Sequence, residues 1–395
     1  MKSLALRRFF ILYFILSVTN NLVHPITPSY IQILNLPDYM FGVLYAAMAL
    51  TNFLFSPFWG RISDRKGRVY VAFISILGYA IGQAGFGMAR NPEIILSFRL
   101  LSGIFAGGFT VSALAYIADI SEGTDRTKYL SYYAAFTTMA ASIGFLVGGL
   151  IGDINIFLVF LVQVIALVLL GFGFKTLLPE SLTEENRVTE KLTLGDRFKI
   201  FSWKDSKDFM TPAILLFLLS VMIASFGTAG YDNAFNFYIK ADLGFKPSYN
   251  GIIKAVTGLI GLTANFTLNV WIIKHFNERK AIICIFLLAA FSIGIVVMVG
   301  APIWFIVANI GFYLFNAMYI PIQQGLMTRG QKHKYGVLSG LFSSAKALGM
   351  ILGALFAGFV YEYGSKLPFY SAGVAFLLAG VISYINYKQY KKIGY

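Results

Sequence analysis

The chain is written almost entirely in apolar runs of about twenty residues, separated by short charged breaks. About 20 consecutive apolar residues are what a helix needs to cross the hydrocarbon core of a bilayer, so a chain with this pattern has to thread a membrane many times. The runs predict helices over 9–33, 40–59, 69–88, 94–118, 129–151 and 154–177, then over 212–238, 248–273, 280–299, 302–325, 335–360 and 368–387. A soluble fold fails on composition. Only 13% of residues are charged and 57% are hydrophobic, with 38 Phe, which is about half the charge of an ordinary soluble domain. The expectation is an all-α polytopic membrane protein with twelve transmembrane helices.

A net charge of +14 raises the question of a nucleic-acid partner, and the placement of the charge answers it. Most of the 32 Lys and Arg lie in breaks on one side of the predicted spans. Short loops rich in Lys and Arg stay on the cytoplasmic side, so the charge reads as topogenic and no nucleic acid is expected to bind. Twelve spans then put both termini in the cytoplasm, and the expected location is a bacterial cytoplasmic membrane, with the lipid bilayer as surrounding partner. Lys2, Arg7 and Arg8 precede an apolar stretch that runs past signal-peptide length without a small-residue cleavage site, so that stretch reads as the first span. Lys388, Lys391 and Lys392 hold the other end inside.

Enzyme chemistry finds no support. Cys284 is the single cysteine and excludes an intrachain disulfide. His24, His275 and His333 are scattered, and there is no nucleotide loop or metal-ligand spacing. No cofactor and no metal are expected. A receptor or scaffold is disfavoured because almost nothing lies outside the predicted spans.

Residues 178–210 mix both charge signs with only scattered apolar residues, and Phe198 to Trp203 reads as a short amphipathic segment on the membrane surface. The expected division is a six-helix bundle over 1–178, a cytoplasmic linker over 179–211 and a second six-helix bundle over 212–395. A faint internal repeat agrees. A shift of 211 residues lays Trp271 to Arg279 over the turn at Gly60, with Arg279 on Arg68, and Tyr231-Asp232 over Asn20-Asn21. A shift of 209 lays Gly353 over Gly144 and Gly358 over Gly149. Two pseudo-symmetric six-helix bundles related by an axis along the membrane normal would produce such a repeat.

Between the second and third spans lies Gly60-Arg61-Ile62-Ser63-Asp64-Arg65-Lys66-Gly67-Arg68, read as a tight hairpin turn whose glycines supply backbone angles that a side chain would block. Its spacing, Gly-x-x-x-Asp-Arg-x-Gly-Arg, resembles the signature loop of the major facilitator superfamily. Arg99-Leu-Leu-Ser-Gly103 followed by Gly107-Gly108 is similar to the fourth-helix arginine motif of that superfamily. Gly144-Phe145-Leu146-Val147-Gly148-Gly149 resembles the fifth-helix antiporter motif, with Phe145 where a proline is usual and Ala140 where an earlier glycine is usual. Pro25-Ile-Thr-Pro28 and Ala118-Asp119-Ile120-Ser121 point to the same branch, the bacterial drug:proton antiporters.

The resemblance implies a monomeric, proton-coupled exporter of small amphipathic organic compounds that works by alternating access, with its site between the halves near mid-membrane. It also implies a conformational switch at Gly60, Asp64, Arg65, Gly67 and Arg68, the last pairing with an acid such as Asp119. Close packing of the fifth helix falls to Gly144, Gly148 and Gly149. Arg99, in the family associated with proton coupling, stays charged itself and tunes its neighbours.

Read without the resemblance, the informative residues are the four charged positions at membrane depth: Arg99, Asp232, Lys254 and Lys346. Intramembrane charge is costly and marks pathways and relays. Asp232 lies deep in the seventh span, in Gly227-Thr-Ala-Gly-Tyr-Asp-Asn233, and is the expected proton carrier or cation ligand. Lys346 is expected either to pair with it or to meet an anionic part of the cargo, and Lys254 to snorkel to the interface. Asn20, Asn21, His24, Tyr231, Asn233, Phe235 and Tyr319 are candidates to line the cavity. Arg99 and Lys346 outnumber Asp232, and the first span has polar residues but no acid. These features keep open an alternative, a transporter of one specific anionic or zwitterionic solute or of a lipid-like molecule.

Overall fold

A computed structural model describes residues 2–121, 123–183, 187, 210–328 and 335–392. Among the described residues, twelve helices are long and apolar enough to cross a membrane. The first, α1, runs in three pieces: Lys2–Asn20, a 3-10 turn at His24–Ile26, and Thr27–Ile33. Pro25 and Pro28 lack the N–H groups that would carry one helix through. Then follow α2 (Met40–Lys66), α3 (Arg68–Met88), α4 (Pro92–Ile120), α5 (Gly123–Ile154) and α6 (Ile156–Leu177). The second series is α7 (Pro212–Ala241), α8 (Pro247–Ala264, continued to His275), α9 (Glu278–Met298), α10 (Pro302–Thr328), α11 (Tyr335–Tyr361) and α12 (Leu367–Lys392). The chain is an all-α, multi-pass membrane protein built as two six-helix bundles.

Helix starts follow capping chemistry. Asn91, Asn155 and Asn277 accept from the first free N–H groups of α4, α6 and α9, and Thr211 does so for α7. Two local expectations need correction. The segment 60–68 is not a nine-residue turn: α2 continues through Gly60 as far as Lys66, with Arg65 and Lys66 in its last turn, where cations suit the negative end of the helix. Gly60 is therefore an ordinary helical residue, where an added Cβ would make an ordinary 3.5 Å contact with Val111. The whole reversal falls on Gly67, whose φ of +107° and ψ of 155° are open only to glycine. The second correction is in α8, where Asn265–Asn269 form a π turn that hydropathy does not foreshadow. Asn269 Nδ2 donates there to the Met318 carbonyl at 3.0 Å. The expected surface segment Phe198 to Trp203 lies outside the described residues.

The chain resolves into two compact units. Unit 1 comprises Met1–Leu36, Ala47–Ile200 and Phe245–Ala255; unit 2 comprises Pro37–Ala46, Phe201–Gly244 and Val256–Tyr395. Within unit 1, α1 packs on α5 and α6, and α3 on α4 and α6. Within unit 2, α7 packs on α11 and α12, and α9 on α10 and α12. The pairings of the first six helices thus recur six helices later, which is the structural form of the faint sequence repeat.

Glycines let these helices touch backbone to backbone, the means by which spans associate where lipid removes the usual hydrophobic drive. In unit 1 a methyl group at Gly144 would strike the Val18 carbonyl, and one at Gly148 the Leu22 carbonyl. In unit 2, Gly349 and Gly353 bear the same relation to the carbonyls of Met222 and Phe226. Next to these contacts, Gly149 lies against Pro247 of unit 1 and Gly358 against Tyr39 of unit 2. Around the contacts, unit 1 fills its interior with Phe9, Tyr13, Leu16, Ile76, Tyr79 and Tyr116 among others.

Candidate functional site

Asp232 lies nine residues before the end of α7 at Ala241, about 14 Å along the axis. It is half-buried. The Tyr313 hydroxyl on α10 is hydrogen-bonded to its carboxylate, and Tyr45, Tyr231 and Tyr319 lie close enough to feel its charge. All belong to unit 2. One turn below, Thr228 Oγ1 donates to Asn316 Oδ1 at 2.8 Å, and so accepts from the Tyr319 hydroxyl, also at 2.8 Å. The carboxylate therefore sits among phenols. Lys346 is half-buried on α11, and no ion pair joins it to Asp232 among the described residues. Asn233 turns back on its own helix, donating to Ala229 O at 2.8 Å.

Tyr231 and Phe235 do not line an open surface. Both are fully buried, in a ring cluster with Phe305, Phe312, Tyr313 and Phe369. The Tyr231 hydroxyl is satisfied by Asn309 Oδ1. Their alternation along α7 with polar residues gave no sign of this, because helix-facing and cavity-facing aromatics look alike in sequence.

The second group of intramembrane charges belongs to unit 1. Arg99 on α4 is only 4% exposed, its Cζ lies 4.6 Å from the centroid of the Phe86 ring, and its Nε has no hydrogen-bond partner. The phenols Tyr79 and Tyr30 lie near it. His24, at the break in α1, stacks parallel to Phe145 with centroids 5.6 Å apart. Phe145 is the residue standing where the antiporter motif usually has proline, and α5 is correspondingly unbroken through it. Asn21 Nδ2 donates to Ser17 O at 2.8 Å, whereas the Asn20 side-chain oxygen is buried without a partner. Gln163 on α6 donates to the Thr19 carbonyl at 2.9 Å, tying the broken end of α1 in place.

The charged cluster where α2 meets α3 is built around Arg68, the first residue of α3. Its Nε donates to Asp119 Oδ2 at 2.9 Å, and its Nη1 to Asp64 Oδ1 at 2.5 Å and to Ser63 Oγ at 3.2 Å. A guanidinium can serve three acceptors at once because its donors form a rigid fork. The Glu180 carboxylate, just past α6, accepts from the Arg68 and Val69 backbone N–H groups at 2.7 and 3.1 Å and so caps α3. Ser181 Oγ donates to Asp119 Oδ2 at 2.9 Å. Arg65, Arg61, Lys66, Trp59 and Tyr70 line a recess of about 310 Å³.

The sequence model that describes the Major Facilitator Superfamily matches residues 9–354 and 217–392. The chain belongs to the major facilitator superfamily. It is similar to Multidrug resistance protein 2 of Bacillus subtilis, with 25% identity over 358 residues, covering 90% of this chain and 88% of that protein. It is 24% identical to the Quinolone resistance protein NorA of Staphylococcus aureus over 405 residues, covering 98% and 97%. Among solved structures it resembles the human organic anion transporter MFSD10, with a TM-score of 0.70 at 18% identity over 97% of this chain and 99% of that one. That likeness shows the fold. As a superfamily member related to bacterial multidrug-resistance proteins, the chain is a secondary transporter of small organic solutes.

Two participants escaped the sequence reading of this superfamily protein. Tyr45, near Asp232, lies within an unbroken apolar run and carries no motif. Glu180 stands in a loop whose other charges are topogenic, and only the Pro179-Glu180 step after α6 offers a signal.

Proposed function

We propose that this transporter exports small amphipathic organic compounds in exchange for protons by alternating access, with Asp232 as the proton-carrying group. In this reading the 60–68 segment and both termini face the cytoplasm of a bacterial cell, and the chain works as a monomer. The observation that carries the reading is the setting of Asp232. It is an acid inside a span, hydrogen-bonded by Tyr313, with further phenols around it. Charge at membrane depth is costly, so a carboxylate there gains from being neutralised by a proton or by a cationic group of the cargo. These two cannot occupy it together, and that competition is the coupling. Tyr45, half-buried beside Asp232, offers an amphipathic surface that binds apolar bodies without demanding one shape. The names of the Bacillus and Staphylococcus relatives, resistance proteins for multiple drugs and for quinolones, support the export of drug-like compounds.

The test is transport in proteoliposomes with an imposed pH gradient, using a panel of lipophilic cations, anions and zwitterions, with Asp232→Asn alongside. Several unrelated compounds are expected to move against their gradients at the expense of the proton gradient, and Asp232→Asn is expected to abolish the coupling. Movement of one solute alone defeats the multidrug reading. Full coupling in the variant removes Asp232 from the proton path.

A further inference from the structure

We propose that the recess where α2 meets α3 binds an anionic phospholipid, with the headgroup phosphate held by Arg61, Arg65 and Lys66 and an acyl chain laid along α3. The inference goes beyond cargo exchange and does not depend on it. All the residues belong to unit 1. The recess has a volume of about 310 Å³, and Trp59, Tyr70 and Ile74 stand in its wall beside the three cations. Arg61 and Arg65 are one turn apart on α2 and so share a side of that helix. Lys66 Nζ lies 5.6 Å from the centroid of the Tyr70 ring, which ties the last turn of α2 to the first turn of α3 across Gly67. No acid lines the recess among the described residues. The acids of this region are engaged with Arg68 and its helix: Asp64 and Asp119 with the guanidinium, Glu180 with the Arg68 and Val69 N–H groups.

Position and shape together point to a lipid. Both helices are membrane spans, and the recess lies at the end of each, with α2 ending at Lys66 and α3 starting at Arg68. That depth is where the phosphates of a bilayer lie, and where Trp and Tyr rings and long cationic side chains gather. Trp59 Nε1 donates to the Ile104 carbonyl of α4 at 2.6 Å, which fixes its ring in the wall. From the recess, Tyr70, Ile74, Leu77 and Ile81 follow one another at helical spacing along α3. Tyr70 and Ile81 are exposed and Ile74 and Leu77 half-buried, whereas the opposite face of α3 is buried against α4 and α6. The site is thus cationic at one end and continues into an apolar strip that faces lipid tails. That pattern matches a ligand with an anionic head and a long apolar body, and a soluble phosphate would leave the strip unused. A guanidinium carries five N–H donors, so each arginine can engage a phosphate oxygen while keeping the contacts it makes within the protein. Arg and Lys hydrogen bonds to phosphate are charge-assisted and correspondingly strong, and basic recesses between spans bind acidic headgroups in this way.

The test is lipid binding to the delipidated full chain in a non-ionic detergent, followed by native mass spectrometry. The probes are palmitoyl-oleoyl phosphatidylglycerol, its phosphatidylcholine counterpart with the same tails and no net charge, and sn-glycerol 3-phosphate, which has the phosphate and no tails. The readout involves neither transport nor a pH gradient, so it stands or falls apart from the exchange mechanism. The native protein is expected to bind the phosphatidylglycerol at least about tenfold more tightly than the phosphatidylcholine, since each cation near a phosphate is worth about fivefold. The triple variant Arg61→Gln, Arg65→Gln, Lys66→Gln is expected to bind it at least about tenfold more weakly and to change phosphatidylcholine binding less than about twofold. Lys66→Gln alone is expected to weaken it about threefold to fivefold; this exposed side chain has no packing to lose, so it tests the site even if the triple variant does not fold. A charge-matched triple variant elsewhere, Lys388→Gln, Lys391→Gln, Lys392→Gln, is expected to change it less than about twofold. No preference for the acidic lipid in the native protein overturns the proposal, as does unchanged affinity in Lys66→Gln. An equal loss in both triple variants also overturns it, because the attraction is then one of net charge without a built site. Binding of sn-glycerol 3-phosphate as tight as that of the lipid assigns the recess to a soluble phosphate and overturns the lipid reading.

Discussion

Gly67 and Glu180 form a two-part joint at the start of α3, and replacing Gly67 with alanine should damage both parts. The first cost is conformational. A φ of +107° with ψ of 155° is essentially closed to a residue with a Cβ, and holding one there costs about 1–3 kcal/mol. The second is steric. The new methyl would lie 2.6 Å from Glu180 Cδ, so the carboxylate must leave the Arg68 and Val69 N–H groups. Losing a helix cap costs about 0.5–2 kcal/mol. Gly67→Ala is therefore expected to destabilise by about 2–4 kcal/mol, and Glu180→Ala by about 1 kcal/mol. The double variant should fall short of the sum by about 1 kcal/mol, because the cap can be lost only once. Reversible unfolding in mixed detergent–SDS micelles measures all three. Additivity to within about 0.5 kcal/mol would refute the capping role of Glu180, and a neutral Gly67→Ala would refute the backbone geometry itself.

Three further outcomes follow from other parts of the molecule. Gly353→Ala should destabilise by about 1–3 kcal/mol by forcing α7 and α11 apart at the Phe226 carbonyl, whereas Gly294→Ala, with no atoms near the added methyl, should lie within about 0.5 kcal/mol of neutral or be stabilising; the same micelle assay compares them. Arg68→Lys keeps the charge but cannot reach Asp119, Asp64 and Ser63 together, so transport turnover should fall in proteoliposomes while equilibrium cargo binding changes little. In the 34–39 loop, partial burial and the nearby charges of Glu362 and Asp242 raise the Asp38 carboxyl above its usual value. Folding then favours the protonated form. The penalty is absent below the unfolded-state value, grows as pH rises through the folded-state value and is complete above it. Asp38→Asn should consequently raise stability at neutral pH and flatten the acid end of the pH–stability curve.

How much of this was legible beforehand differs from residue to residue. The pairing of Arg68 with an acid could be anticipated, since Gly-x-x-x-Asp-Arg-x-Gly-Arg places cations and acids within a few residues of each other. Yet the same pattern suggested a nine-residue turn, and the chain makes the reversal at Gly67 alone, because residues 60–66 have no reason to leave the helix that precedes them. Asp232 stood out as a deep acid, but a hydropathy pattern contains nothing about Tyr45 or Tyr313. Lys346 could be read as its partner or as a site for an anionic part of the cargo, and hydropathy cannot choose between the two.

The sequence by itself determined that this chain crosses a membrane with twelve helices in two similar halves. In hydrocarbon every backbone N–H and C=O must be satisfied within its own segment, so run length and charge placement leave little freedom. It also determined which few charges lie at membrane depth. Only the tertiary structure decided which side chains meet: Glu180 with the start of α3, and Phe145 with His24. The physical reason is that a span has apolar side chains on all its faces. The face toward lipid and the face toward a neighbouring helix are equally greasy, so rotation and register are set by glycine contacts and hydrogen bonds between segments far apart in the chain.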